Sequence, residues 1–292
     1  MLKTSIYEVT DTDKIHLSDE WIDGNGNLVR TLNYTDGDIT ETRCSYNETG
    51  LLISERNYCE DQELDETRYG YDGNENVVLQ EYFIAGELYE RTFNNHSDGR
   101  LEIVMEQDGE EVQRSIRIED GENHVSEFFE NGTQIEKQVY TYNPENRSGE
   151  KLVYGEDKNM VLKELIVFDQ NDNTIEFKQL NAEGFLLEYE KHIYDGKLLK
   201  QSVFKKYVGE SAEEHKVSCT YNQRGDITRE EVTTLEGNLL GFTQFQYDDE
   251  HRLIEEMEFY HSTYNAIYGT YANGKNSRLQ YEHVTVTSEI ED

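Results

Sequence analysis

Three stretches place oxygen-bearing side chains at every second position: Asp23-x-Asn25-x-Asn27, Asp72-x-Asn74-x-Asn76 and Asp169-x-Asn171-x-Asn173. A Ca²⁺ loop begins this way, because a hard cation is held by a shell of oxygens. None of the three completes the loop. The position that needs a Gly for the sharp bend is Leu28, Val77 or Thr174, and the position that needs a bidentate Glu is Tyr34, Phe83 or Leu180. Turn chemistry accounts for these Asp and Asn residues better than a weak divalent site, so no metal and no cofactor is expected. Histidines 16, 96, 124, 192, 215, 251, 261 and 283 are scattered without His-Glu-x-x-His spacing, and Cys44, Cys59 and Cys219 have no zinc spacing. Glu188 with Glu190, and Glu256 with Glu258, share a strand face as a general acid/base pair would. With 62 acidic residues such pairs arise by chance. No Ser or Cys nucleophile setting stands out, and no catalytic function is expected.

The Asp and Asn residues belong to a recurring element. An aromatic or aliphatic residue followed by Asp, Asn or Glu and a Gly/Asn-rich turn returns every 22 to 27 residues, from Ile22-Asp23 through Tyr46-Asn47, Tyr71-Asp72 and Tyr221-Asn222 to Tyr247-Asp248, ending degenerate at Tyr271-Ala272. A second set of turns lies between these stations, as at Phe83-Ile-Ala-Gly86, Phe129-Glu-Asn-Gly132 and Leu235-Glu-Gly237. Between turns the apolar residues alternate, as in Leu239-Gly241-Thr243-Phe245-Tyr247. That is the two-residue period of a strand. The unit is therefore strand, turn, strand, turn. The fold expected is all-β: an extended or coiled antiparallel β-meander of about eleven two-strand repeats, some 20 strands in all. It forms one domain over residues 1–292, with repeats over roughly 15–283 and the end segments capping two exposed edges. A propeller lacks a doubled period, and a closed barrel would need more apolar material than a chain that is 35% hydrophobic supplies.

Lys and Arg total 27 against 62 Asp and Glu, a net charge of −35. That balance repels nucleic acid and anionic lipid and favours cationic partners. Disorder is excluded by 21 Tyr, 11 Phe and a single Pro. No stretch approaches the ~18 apolar residues of a membrane helix, and three cysteines leave at least one unpaired. A cytoplasmic protein with no membrane contact is expected on this reasoning.

The set Tyr46-Asn-Glu-Thr-Gly50-Leu-Leu52, Tyr221-Asn-Gln-Arg-Gly225-Asp-Ile227 and Tyr247-Asp-Asp-Glu-His-Arg-Leu253 resembles the YD (Rhs-type) repeat family over roughly residues 20 to 280. The shorter Tyr-x-x-Gly-x-Leu half is also similar to the repeats of some bacterial antitoxin and immunity proteins. The resemblance implies a coiled β-sheet that encapsulates a toxin or presents an adhesion surface. The chain lacks the self-cleavage segment and toxin-like domain of the encapsulating members.

Tyr260, Tyr264, Tyr268 and Tyr271 form the densest aromatic cluster, in the most irregular repeat. They are read as a cap or as a protein-binding surface, since Tyr couples an apolar ring to a polar tip. The function expected is a non-catalytic interaction or scaffold protein, an immunity or inhibitory factor in a bacterial toxin or defence system, presenting an acidic, Tyr-rich face to a basic protein partner. An Rhs-like encapsulating segment and a polyanionic nucleic-acid mimic are the alternatives.

Overall fold

A computed structural model describes residues 1–10, 12–35, 37–208, 211–260 and 277–285. Among the described residues, twenty-two strands make up the regular structure. They begin with β1 (Leu2–Val9), β2 (Lys14–Ile22), β3 (Leu28–Thr35), β4 (Asp38–Tyr46), β5 (Leu52–Cys59), β6 (Gln62–Tyr71), β7 (Val77–Ile84) and β8 (Glu87–Ser97). Next come β9 (Arg100–Gln107), β10 (Glu110–Asp120), β11 (Asn123–Glu130), β12 (Thr133–Asn143), β13 (Ser148–Tyr154), β14 (Met160–Phe168) and β15 (Thr174–Asn181). The rest are β16 (Leu186–Asp195), β17 (Leu198–Val208), β18 (Ser211–Tyr221), β19 (Ile227–Thr233), β20 (Leu239–Tyr247), β21 (Leu253–Tyr260) and β22 (Ser277–Thr285).

Two turn types connect the strands, each for a chemical reason. At the Tyr-Asp stations the Asx side chain replaces the missing backbone acceptor: Asp23 Oδ1 accepts from the amides of Asn25 (2.8 Å) and Asn27 (2.9 Å). Asp72 does the same for Asn74 and Asn76, Asn222 for Arg224 and Asp226, and Asp248 for Glu250 and Arg252. The third residue after the Asx takes a positive φ, 89° at Gly26 and 85° at Gly50, and the ladder shifts register just before the Asx. This is a type I turn closed by a bulge, a common hairpin connection. At some of the intervening hairpins two consecutive residues have positive φ, as at Ala85-Gly86 (50° and 81°) and Asn131-Gly132 (47° and 79°), the two-residue type I′ turn, whereas those ending at Gly184 and Gly237 repeat the bulged form with a single positive φ.

Three of the station tyrosines bind backward along the chain. Tyr46 Oη donates to the Leu28 carbonyl (2.7 Å), Tyr71 Oη to Leu52 (2.6 Å) and Tyr221 Oη to Leu199 (2.8 Å). Each bond ties the start of one repeat to the start of the one before it.

The expected open meander is corrected by the first strand. β1 pairs antiparallel with β2 on one side and with β22 on the other, from Leu2 opposite Thr285 to Glu8 opposite Leu279. The 22-stranded antiparallel sheet therefore closes on itself, a β-barrel in its connectivity, and among the described residues neither β1 nor β22 is left as the open edge expected for the terminal segments to cap. The objection that apolar material is too thin for closure fails because wide barrels keep polar, wetted faces.

The chain groups into two compact units. The first comprises Met1–Ile116, Phe129–Thr133 and Leu279–Asp292. Its buried groups are mostly polar or charged and include Asp19, Glu41, Glu66 and Thr4, with Trp21 as the buried aromatic. The second comprises Arg117–Phe128 and Gln134–Arg278, and buries Val153, Cys219 and Val232 together with Ser202, His215 and Thr243.

Candidate functional site

Residues paired across an antiparallel ladder share a face, so the register assembles side chains that are distant in sequence. In the first unit one face carries Arg30, Arg43, Arg56 and Glu66 in a row across β3–β6, and Arg68, Glu81, Arg91 and Glu106 in a row across β6–β9. Buried Glu41 lies between Arg30 (2.5 Å) and Arg43 (2.8 Å), and buried Glu66 lies between Arg56 (2.9 Å) and Arg68 (2.5 Å). Arg68 and Arg56, with Ser54, hold the Glu66 carboxyl at about 2 against the opposing effect of its burial. Each glutamate is thus charged and saturated with donors, which suits a structural clamp. The cationic heads lie over rings of the same face: Arg43 over Tyr58 at 4.7 Å and Arg68 over Phe83 at 4.3 Å.

Asp19, 3% exposed, is the most heavily bonded acid in this unit. It accepts from Ser5 Oγ (2.5 Å), Lys3 Nζ (2.9 Å), His16 Nε2 (2.9 Å) and Tyr34 Oη (2.9 Å), which joins β1, β2 and β3. Burial alone would raise its pKa, but these donors outweigh burial and hold the carboxyl at about 2. Tyr34 responds in the opposite sense, pushed up to about 12 by burial and by the Asp19 carboxylate it serves. The imidazole of His16 is stacked between Tyr7 (4.7 Å) and Tyr34 (4.4 Å). With every lone pair occupied, Asp19 has no capacity left for a substrate.

The second unit contains the arrangement closest to catalytic chemistry. His192 in β16 stands directly opposite Ser202 in β17, with Nδ1 2.7 Å from Ser202 Oγ. Its Nε2 lies 3.1 Å from a carboxylate oxygen of Glu190, two residues earlier on the same face. A neutral imidazole protonated on Nε2 donates to Glu190 and accepts from the Ser202 hydroxyl. That is the order of a serine–histidine–carboxylate relay. Ser202, however, is only 2% exposed, flanked across the ladder by His192 and Val217. An acyl carbon has no approach to its Oγ.

Glu230 on the same face faces Cys219 and Thr243 across the ladder. Burial, and secondarily the charge of Glu256, pushes its carboxyl up. The Cys219 thiol points to a Glu230 oxygen at 3.9 Å and is itself raised by burial, so it is not an activated nucleophile. Among the described residues no group of His, Cys, Asp and Glu is arranged to hold a metal ion.

Tyr264, Tyr268 and Tyr271 lie outside the described residues, and Tyr260 is described only as the last residue of β21, paired with Gly241. Sequence reasoning missed the Ser202–His192 pair, because it depends on a turn at Gly196-Lys197, after the Tyr194-Asp195 station, and on the register shift between Ile193 and Tyr194. It missed the Asp19 hub because Lys3 and Ser5 lie outside the repeat.

The expected function is corrected along with the fold. The immunity or inhibitory factor, with an Rhs-like encapsulating segment and a nucleic-acid mimic as its alternatives, was expected on a coiled meander presenting an acidic, Tyr-rich face, whereas the ladder closes through β1 and β22. The cytoplasmic, membrane-free assignment rested on the lack of a long apolar run. No helix among the described residues is long and apolar enough to cross a membrane. Closed barrels, however, cross membranes on short strands of about 9–11 residues without any such run. The assignment and the partner expectation built on it therefore fall.

No family model matches the chain, and no curated protein matches it. Among solved structures the chain is similar to a porin-like protein from Bacteroides uniformis ATCC 8492, at 9% sequence identity over 97% of each chain, with a TM-score of 0.33.

Proposed function

We propose that this protein is a non-catalytic β-barrel whose polar walls handle hydrophilic, cationic solutes. The observation that carries the reading is the closure of the ladder through β1 and β22 in a chain whose sheet bears ion pairs on both faces, as Lys151–Glu164 on one face of β13–β14 and Lys163–Glu150 on the other. A net charge of −35 raises the local concentration of cations and disfavours anions. The absence of catalysis is supported by the burial of Ser202 and the saturation of Asp19 and Glu66. The likeness to YD-type repeats belongs to the same proposal: the station Tyr binds the previous repeat and the station Asp or Asn caps its own turn, a structural role for both motif residues.

Equilibrium dialysis of the full chain against small hydrophilic dyes of matched size and opposite charge tests the solute reading. Cationic dyes should be retained at low salt and released as salt is added; equal retention of both charges would overturn it. Treatment with a fluorophosphonate probe tests the catalytic part. Ser202 should remain unmodified in the folded chain, and stoichiometric labelling there would show that the relay is accessible.

A further inference from the structure

The first unit contains two notches built to one plan. The larger, about 330 Å³, is lined by the apolar side chains of Leu32, Ile39 and Tyr58 and by the acidic turn Glu60-Asp61. The Glu60 amide donates to the Ile39 carbonyl (3.2 Å), which fixes that turn beside the start of β4. Ile39 is 48% exposed, so its apolar surface in the notch is wetted. Arg30 lines the notch but is committed to Glu41 at 2.5 Å, and Arg43 binds the same carboxylate. Against these two guanidiniums stand Glu41, Glu60 and Asp61, which leaves one negative charge in excess.

The smaller notch, about 200 Å³, lies two repeats further along the chain. Leu88 and Tyr89, 43% and 50% exposed, line it together with Glu106 and Asp108, and its Arg91 is committed to Glu81 at 2.6 Å. In both notches the second residue of a strand, Ile39 in β4 or Leu88 in β8, meets the acidic turn of the next intervening hairpin. That turn holds its aspartate at positive φ, 64° at Asp61 and 53° at Asp108. Concave sites that join apolar walls to a few placed polar groups are the usual form of small-molecule sites. Wetted apolar walls favour a ligand with an apolar body, and the surplus carboxylate favours a cationic head.

We propose that these notches bind a small organic monocation, a primary ammonium with an aliphatic or aromatic body, whose body covers Ile39 or Leu88 and whose ammonium meets Asp61 or Asp108. The proposal rests on the reading of the walls as handling cationic solutes and narrows it. Net charge concentrates every cation alike, whereas the notches select those with an apolar part.

Equilibrium dialysis of the full chain at low salt tests the selection, with 2-phenylethylammonium, ethylammonium and phenylacetate as probes. The two ammonium ions carry the same charge, so their difference reports the apolar contact alone. Phenylethylammonium should be bound about tenfold more tightly than ethylammonium, the value of covering one ring-sized apolar body. Ile39→Ser with Leu88→Ser should abolish that preference while ethylammonium is retained as before. Asp61→Asn with Asp108→Asn should abolish it too, and asparagine tolerates the left-handed turn. If the serine pair does not melt like the parent, Ile39→Thr with Leu88→Thr replaces it, since threonine suits strands. Equal retention of the two ammonium ions, or a preference that survives in either pair of variants, would overturn the notches and leave the cationic-solute reading standing. Retention of phenylacetate equal to that of both ammonium ions would overturn the two together.

Discussion

At the scale of single residues, the chain converts an excess of acid into structure by burying a few carboxylates among donors. Asp19 is the sharpest case. Its folded pKa of about 2 lies below the 3.8 of a free aspartate, so its stabilisation is fully present above pH 3.8 and is lost as pH falls through 2. The shift corresponds to about 2 kcal/mol. Asp19→Asn should therefore lower stability by about that amount at neutral pH, and the gap between variant and parent in urea melts should close between pH 4 and pH 2. Gly149 supplies a steric counterpart. A Cβ there would sit 2.5 Å from the hydroxyl of Tyr140 and 2.7 Å from its Cε2, because the ring lies over the glycine. Gly149→Ala should cost about 1–3 kcal/mol by overpacking, and adding Tyr140→Leu should recover most of the loss. A double-mutant cycle in denaturant measures both effects.

Strands and turns were the most legible level in the sequence, because period-2 alternation and Asx-Gly punctuation are local properties of the chain. The Asp23 and Asp72 spacing that mimics a cation loop is resolved by the turn itself, since each carboxylate is already occupied by two backbone amides. Asp72→Ala should lower the midpoint of urea unfolding, because it removes two side-chain-to-amide hydrogen bonds, and adding Ca²⁺ should not move the melting temperature of the parent. Illegible at this level was the pairing of distant strands. Nothing in Met1–Val9 follows the repeat, so a segment that looks like a capping end is in fact the strand that pairs with Ser277–Thr285. The His192–Ser202 pair stayed hidden for a different reason: it depends on the register across a hairpin, and a shift of one residue would place the two side chains on opposite faces.

For the whole molecule, the surplus of acid over base sets the response to salt. The ion pairs use only part of the 62 carboxylates, so the remainder repel one another, and raising NaCl toward about 0.5 M should increase the melting temperature by screening that repulsion. A decrease would mean that the Arg–Glu rows, rather than the net charge, dominate stability. Closure was invisible in composition because both faces are polar, and the apolar-content argument applies only to barrels packed solid. Closure also governs how such a chain can change size. Because β1 meets β22 antiparallel in an up-and-down sheet, the strand number has to be even. A duplication or deletion of a single strand would force the two ends to run parallel and break the seam, whereas one whole repeat adds two strands and preserves it. Tyr46, Tyr71 and Tyr221, which each bind one repeat back, join neighbouring units in the same way. The repeat is thus the smallest step by which the circumference can grow or shrink, and naturally occurring length variants of this architecture should differ by pairs of strands.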